Sequence, residues 1–189
     1  MKFTDKLAQY IVDQQLDLDH LTIILPSERA KKYISASLFR AYGKPVLAPE
    51  MMTIDRWVKS LSDKTVIDRT RALIRLYNIQ LLDPPGDKDR SFDEFMSWGN
   101  ILLSDFDEID RYLLETKTVF TNLQAVRELE NWEVDKWSFE GPNLTEGQKR
   151  FLEFWEKLPN YYTDLNKRLN ADGQCYPGKA YRELAEQID

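Results

Sequence analysis

The sequence predicts an α/β fold that is predominantly helical, with a small parallel βαβ unit followed by an all-helical region. Three observations lead to this prediction. Glycine is scarce (7 of 189 residues) and 31% of the residues are charged, a composition typical of helices joined by short loops. Two short apolar runs, at residues 21–25 and 45–48, are the only strand candidates. Beyond residue 62 the apolar residues recur at helical spacing.

Residues 1–62 are predicted to form a helix, a strand, a helix, a strand and a helix. Apolar residues at helical spacing indicate a first helix over residues 3 to 16. The β-branched run at 21–25, stopped by Pro26, favours a buried strand. Ser27 is expected to cap the next helix, and Gly43 to end it in the left-handed conformation.

The second strand is predicted at residues 45–48, and Thr53 is expected to cap the helix that carries Trp57. Two strands separated by one helix form a βαβ unit, so the strands should be parallel and the crossover right-handed.

Residues 63–189 are predicted to be helix or loop throughout. A first stripe runs from Ile67 to Leu81, and Ser91 with Glu94 forms a capping box for a second helix. Thr145 with Gln148 forms another box, and Pro159 should kink or split the helix that follows it.

The composition also indicates the cellular compartment of the protein. Cys175 is the only cysteine, so no internal disulfide can form, and no apolar run approaches the roughly 20 residues of a membrane helix. Asp5 and Asp13 interrupt the stretch where a secretion signal would be apolar. These observations favour a cytoplasmic protein without a membrane partner.

Charge is unevenly distributed along the chain. The net charge is −6, but between Arg29 and Arg75 eleven Lys and Arg stand against four Asp and Glu, which gives this window +7 and the remainder −13. The window could be a surface for an acidic partner or simply a set of solvated helix faces.

No complete catalytic, cofactor or metal constellation is recognisable. The two Gly-Lys pairs, at Gly43 and Gly178, lack the glycine-rich turn that cradles nucleotide phosphates. His20 is the only histidine, so zinc sites and His-based triads lack their usual partners, and we expect it to stabilise a turn. Catalytic residues, cofactors and metals are therefore all predicted to be absent.

Two acidic patterns are candidates for metal sites. The run at residues 101–110 continues a helical apolar stripe, which would leave Asp105, Asp107 and Glu108 on or near its wet side as a solvated helix end. Asp105 with Glu115 and Lys117 has the letter order of a metal-dependent nuclease, in which carboxylates hold magnesium and the lysine orients water. The nuclease is kept as an alternative function.

Several runs together resemble one family. They are Leu21-Thr-Ile-Ile-Leu-Pro-Ser-Glu-Arg-Ala30, Ala48-Pro-Glu-Met-Met-Thr-Ile-Asp-Arg-Trp57, Asp105-Phe-Asp-Glu-Ile-Asp110, Phe120-Thr-Asn-Leu123 and Gly178-Lys-Ala-Tyr-Arg182. In this order they resemble the N-terminal part of the AddB-like inactivated superfamily I helicases, proteins in which a degenerate helicase is fused to a C-terminal PD-(D/E)xK nuclease that acts in double-strand-break repair and recombination.

The resemblance implies a function for each region. Residues 1–62 would be part of a helicase 1A-like α/β segment, and residues 63–189 a helical 1B-like subdomain. The chain would be a non-catalytic DNA-binding and scaffolding segment that contacts single-stranded DNA and has an AddA-like helicase-nuclease subunit as partner. The implied DNA contacts come from two segments and their neighbours: Ser27, Arg29, Lys31, Lys32, Thr53, Arg56 and Trp57.

The phosphate loop of the active helicases is missing, which agrees with an inactivated motor. A helical protein-interaction module without a DNA role is a further alternative.

Overall fold

The structure, a computed structural model, describes residues 2–84, 91–122 and 146–188. It is mostly helical with short parallel strands, which confirms the predicted fold class. The chain divides into two compact units, Met1–Leu61 and Ser62–Asp189, and the division falls one residue before the predicted boundary.

Unit 1, as Met1–Leu61 is called below, contains three helices and two strands. In chain order they are α1 (Phe3–Asp13), β1 (Thr22–Leu25), α2 (Glu28–Tyr42), β2 (Glu50–Thr53) and α3 (Ile54–Leu61), with a short 3-10 helix at Leu18–His20. The strands β1 and β2 are parallel neighbours with Thr22 opposite Glu50 and Leu25 opposite Thr53. The predicted parallel βαβ order is therefore confirmed.

The core of unit 1 lies between α1, α2 and the sheet. Its fully buried members are apolar residues at helical spacing on the two helices together with the end of β1: Ala8, Ile11, Leu25, Ile34 and Leu38. Gly43 ends α2 at φ 64°, the left-handed conformation that the sequence predicts for a glycine cap.

Three local predictions in unit 1 need correction. The second strand lies at Glu50–Thr53 and not at 45–48. The backbone of Glu50–Thr53 pairs with β1 in parallel, although the run at 45–48 is the more apolar of the two segments. The first helix ends at Asp13, short of residue 16. Ser27 occupies the N-cap position of α2, but its side chain makes no capping hydrogen bond.

Unit 2, as Ser62–Asp189 is called below, is built on long helices. Its elements are β3 (Thr65–Val66), α4 (Arg69–Leu82), α5 (Phe92–Arg111), α6 (Glu146–Ala171), β4 (Gln174–Cys175) and α7 (Pro177–Ile188), and residues 116–122 are also helical. The core joins the apolar faces of α4, α5 and α6, with Phe95, Phe106 and Leu165 almost fully buried. The capping box of Ser91 and Glu94 opens α5 as predicted.

Unit 2 also departs from prediction. Two strands occur after residue 62, and β3 pairs with β4 in parallel, so the region is not entirely helix or loop. Ile67 precedes α4 instead of belonging to it. Thr145, the first residue of the other predicted capping box, lies outside the described residues.

Pro159 lies inside α6, so the predicted split at this residue is wrong. Leu158, Tyr161 and Leu165 are buried on the same helix, and their packing against the core outweighs the backbone hydrogen bond that proline removes.

Candidate nucleic-acid interface

The two strands of unit 1 bring two helix starts to one edge of the sheet. Because Leu25 pairs with Thr53 in a parallel register, the carboxyl ends of β1 and β2 coincide. The helix α2 begins three residues after β1, and α3 begins directly after β2. In open α/β sheets this edge is where ligands bind.

Each helix start offers donors for an anion. Ser27, in the extended N-cap conformation at φ −158° and ψ 155°, keeps its hydroxyl out of any capping bond. Thr53 Oγ1 accepts the backbone N–H of Arg56 at 3.3 Å, so Thr53 caps α3 as predicted. The remaining amides of the first turns, with the positive end of the helix dipole, form a typical phosphate-binding arrangement.

Two arginines stand where the helix dipole disfavours cations. Arg29 lies in the first turn of α2 and Arg56 in the first turn of α3, and both side chains are exposed. A positive charge at a helix N-terminus costs stability, and an anion bound between the amides and the guanidinium groups would reverse this repulsion. Lys32 is also exposed, one residue beyond the first turn of α2.

Two of the predicted contacts are less available than the sequence suggests. Lys31 Nζ is bound to Glu28 Oε2 at 2.7 Å, and only 26% of its side chain is exposed. Trp57 is half-buried, whereas stacking on a base needs an open ring face. The arginines and Lys32 therefore carry the accessible charge of this edge.

The residues of the nuclease alternative lack the strand geometry that such a site uses. Asp105 is exposed on α5, Glu115 precedes the helical residues 116–122, and Lys117 lies within them. A Glu-x-Lys pair needs strand geometry to point both side chains to one face, whereas residues two apart on a helix diverge. Within residues 2–84, 91–122 and 146–188 there is no group of three or more metal-ligating side chains.

The acidic run of α5 meets the Gly-Lys-Ala-Tyr-Arg segment of α7. Asp110 is fully buried, and its carboxylate accepts Arg182 Nε at 2.6 Å and the hydroxyl of Tyr162 at 2.7 Å. The hydroxyl of Tyr176 also donates to it. Burial, with the adjacent Asp110 charge and hydrogen bond, raises the pKa of Tyr176 far above the usual tyrosine value.

A second contact fixes the same pair of helices. Asp107 Oδ1 accepts the backbone N–H of Gly178 at 2.5 Å. A side chain at Gly178 would overlap the backbone carbonyl of Asp107, so only glycine allows this approach. Asp107 is therefore half-buried and engaged, not a freely solvated carboxylate as its place in an acidic run suggests.

Sequence reasoning missed the role of Asp110, although one signal was present. Asp110 follows Phe106 by four residues and Leu103 by seven, so it lies on the buried stripe of α5. A charged residue on such a stripe requires a partner, but Tyr176 and Arg182 are too distant in sequence to be identified from the stripe alone.

Among the helices of the described residues, none combines the length and the apolar character needed to cross a bilayer. Comparisons with protein-family models, with curated proteins and with solved structures found no match to this chain.

Proposed function

We propose that unit 1 binds the phosphates of single-stranded DNA at the edge where α2 and α3 begin. The chain would be the non-catalytic N-terminal segment of an AddB-like inactivated helicase and nuclease that acts in double-strand-break repair. The observation that carries the proposal is the register of Leu25 with Thr53, because it aligns two helix starts and the arginines of their first turns.

The chemistry of this edge suits a phosphodiester backbone better than a base. Backbone amides and exposed guanidinium groups contact phosphate oxygens without reading sequence. With Lys31 paired to Glu28 and Trp57 half-buried, few groups remain for base contacts. We expect sequence-independent binding with a dissociation constant on the order of 10⁻⁴ to 10⁻⁶ M.

Unit 2 would act as a helical scaffold in the same protein. Two of the motifs that carry the family resemblance, at residues 105–110 and 178–182, contact each other through Asp110 and Arg182. Their co-occurrence in the sequence thus has a structural reason within this unit. An AddA-like subunit is the proposed partner, and the cytoplasm the proposed compartment.

Fluorescence anisotropy of labelled single-stranded DNA, measured over a range of salt concentrations, tests the DNA role. The variant Arg29→Ala/Arg56→Ala should bind more weakly, and its log-log salt slope should fall by about 0.7 for each phosphate that the variant no longer neutralises. The matched control is Lys44→Ala/Lys59→Ala, which removes the same charge near the opposite ends of α2 and α3.

Three outcomes decide between the candidates. Weaker binding by the arginine variant alone supports the proposed edge. Equal binding by both variants with an unchanged salt slope assigns DNA binding to another surface. The absence of any binding at low salt favours the protein-interaction module, and magnesium-dependent cleavage that Lys117→Ala abolishes would favour the nuclease.

A further inference from the structure

Unit 2 contains a cleft of about 320 Å³ that belongs to none of the sites described above. It lies between the last turns of α6, the strand β4, the first turns of α7 and Lys64 beside β3. Every side chain that lines it is polar or charged. A small concave site lined only by polar and charged residues suits a small hydrophilic ligand.

The charges of the cleft do not balance. Its lining contains three lysines, Lys64, Lys167 and Lys179, against the single carboxylate of Glu183. Lys64 Nζ is bound to Glu183 Oε1 at 2.5 Å, so this lysine is neutralised within the cleft. The charges of Lys167 and Lys179 remain in excess.

Lys179 is held facing this space with little compensation. Its side chain is 22% exposed, and its Nζ lies 3.9 Å from Asp110, whose carboxylate already accepts Arg182 and two tyrosine hydroxyls. Because Arg182 shares the single charge of Asp110 at a shorter distance, Lys179 is only partly compensated, and this half-buried ammonium group favours the binding of a further anion.

The neutral lining supplies further donors. The side-chain amides of Asn170 and Gln174 border the cleft. Asn166 Nδ2 already donates its two hydrogens to the Tyr162 carbonyl at 2.9 Å and the Tyr176 hydroxyl at 3.2 Å, so it offers no further donor. Lysines bind phosphate as point charges, and amide N–H groups complete the oxygen contacts.

We propose that this cleft binds a phosphate group, either as a phosphomonoester or as part of a nucleic-acid backbone. The lining has two more lysines than carboxylates, and this positive excess favours a phosphate group; a phosphomonoester carries about −1.5 to −2 at neutral pH. All lining residues belong to unit 2, so the inference does not depend on the proposed DNA edge of unit 1.

Heteronuclear NMR of the full chain, titrated with inorganic phosphate and with chloride at matched ionic strength, tests the proposal. The side-chain amides of Asn170 and Gln174 should shift saturably with phosphate only. Lys167→Gln should weaken this binding by about tenfold or more, as expected when one charge-assisted hydrogen bond is removed. Glu183→Gln should strengthen it, since Lys64 is then freed.

Arg168→Gln is the matched control, because it removes one positive charge from the adjacent position of α6, outside the cleft lining. Unchanged phosphate binding by this control, with weaker binding by Lys167→Gln, supports a defined site. Equal weakening by both variants, or no saturable shift in the native chain, overturns the proposal.

Competition assigns the source of the phosphate once the site is established. Displacement by a single-stranded oligonucleotide without terminal phosphate supports a backbone site. Displacement only by the 5′-phosphorylated oligonucleotide or by a nucleoside monophosphate supports a phosphomonoester site. Repeating the titration with Arg29→Ala/Arg56→Ala separates the cleft from the edge of unit 1, and phosphate binding should not change.

Discussion

Arg182 donates hydrogen bonds both to the buried carboxylate of Asp110 and to a backbone carbonyl in the last turn of the same helix, α5. Arg182 Nε lies 2.6 Å from Asp110 Oδ1, while its Nη2 donates to the carbonyl oxygens of Ile109 at 2.9 Å and Leu114 at 2.6 Å. The last carbonyls of a helix have no partners within it, so Arg182 both neutralises Asp110 and, through the Ile109 carbonyl, contributes to the C-terminal cap of α5.

The substitution Asp110→Asn should destabilise the protein by about 3 kcal/mol or more. Removing one partner of a buried ion pair leaves the other, here Arg182 at 13% side-chain exposure, without its counter-charge. Urea denaturation followed by circular dichroism measures the decrease in stability. The control Glu108→Gln, exposed on the same helix, should change stability by no more than about 0.5 kcal/mol.

A double-mutant cycle with Arg182→Gln sharpens this prediction. Because the two side chains contact each other, their effects should be strongly non-additive. Destabilisations that simply add, or an Asp110→Asn variant as stable as Glu108→Gln, would show that the pair contributes little.

The substitution Gln80→Met should stabilise unit 2 by about 1 to 2 kcal/mol. Gln80 is fully buried on α4, and among the described residues neither its Nε2 nor its Oε1 has a hydrogen-bond partner. Methionine has a similar volume and no amide group, so the cost of desolvating an unpaired amide is removed. Urea denaturation is again the measurement, with the exposed Gln187→Met as control; a less stable Gln80→Met variant would refute the interpretation.

Acid should remove part of the stability of unit 1 through Asp5. The hydroxyl of Ser37 donates to Asp5 Oδ1 at 2.8 Å and, with Arg40 at the same distance, lowers the pKa of Asp5 below its usual 3.8. The folded state thus favours the charged form, so this contribution is present above the usual pKa and is lost as the pH falls below it.

Melting temperatures of the native chain and of Asp5→Asn, compared between about pH 6 and about pH 2, measure this contribution. The native chain should melt higher near neutrality, and the difference should shrink in acid. Asp13→Asn, on the same helix, is the control. A difference between native and Asp5→Asn chains that stays constant with pH would exclude the carboxylate charge as its cause.

The sequence predicted elements with strong local signals and missed those decided by distant partners. The run at 21–25 ends at Pro26, and β1 lies there as expected. The strand β2 contains Glu50 and two methionines, a weak strand signal, and exists because its backbone pairs with β1. The strands β3 and β4 are two residues each and have no local signal that periodicity could detect.

The same division applies to the candidate sites. Ser27 and Thr53 could be predicted at helix starts from capping signals in the sequence, whereas their role and that of the neighbouring arginines in DNA binding follows only from the family resemblance. The cleft of Lys64, Lys167 and Lys179 could not be predicted, because these lysines come from three separate parts of the chain. Each lysine alone is indistinguishable from an ordinary surface charge. Only the tertiary structure places them around one space.

The pairing of β3 with β4 has a consequence for the order of folding during synthesis. Thr65 pairs with Gln174 more than one hundred residues further along the chain, whereas the strands of unit 1 pair Thr22 with Glu50 over 28 residues. Contacts that close long loops form late, and the partner strand must first leave the ribosome. We therefore expect unit 1 to fold while the chain is still growing. The apolar faces of α4 and α5 must await α6, with which they form one core, and during this interval aggregation or chaperone binding is favoured.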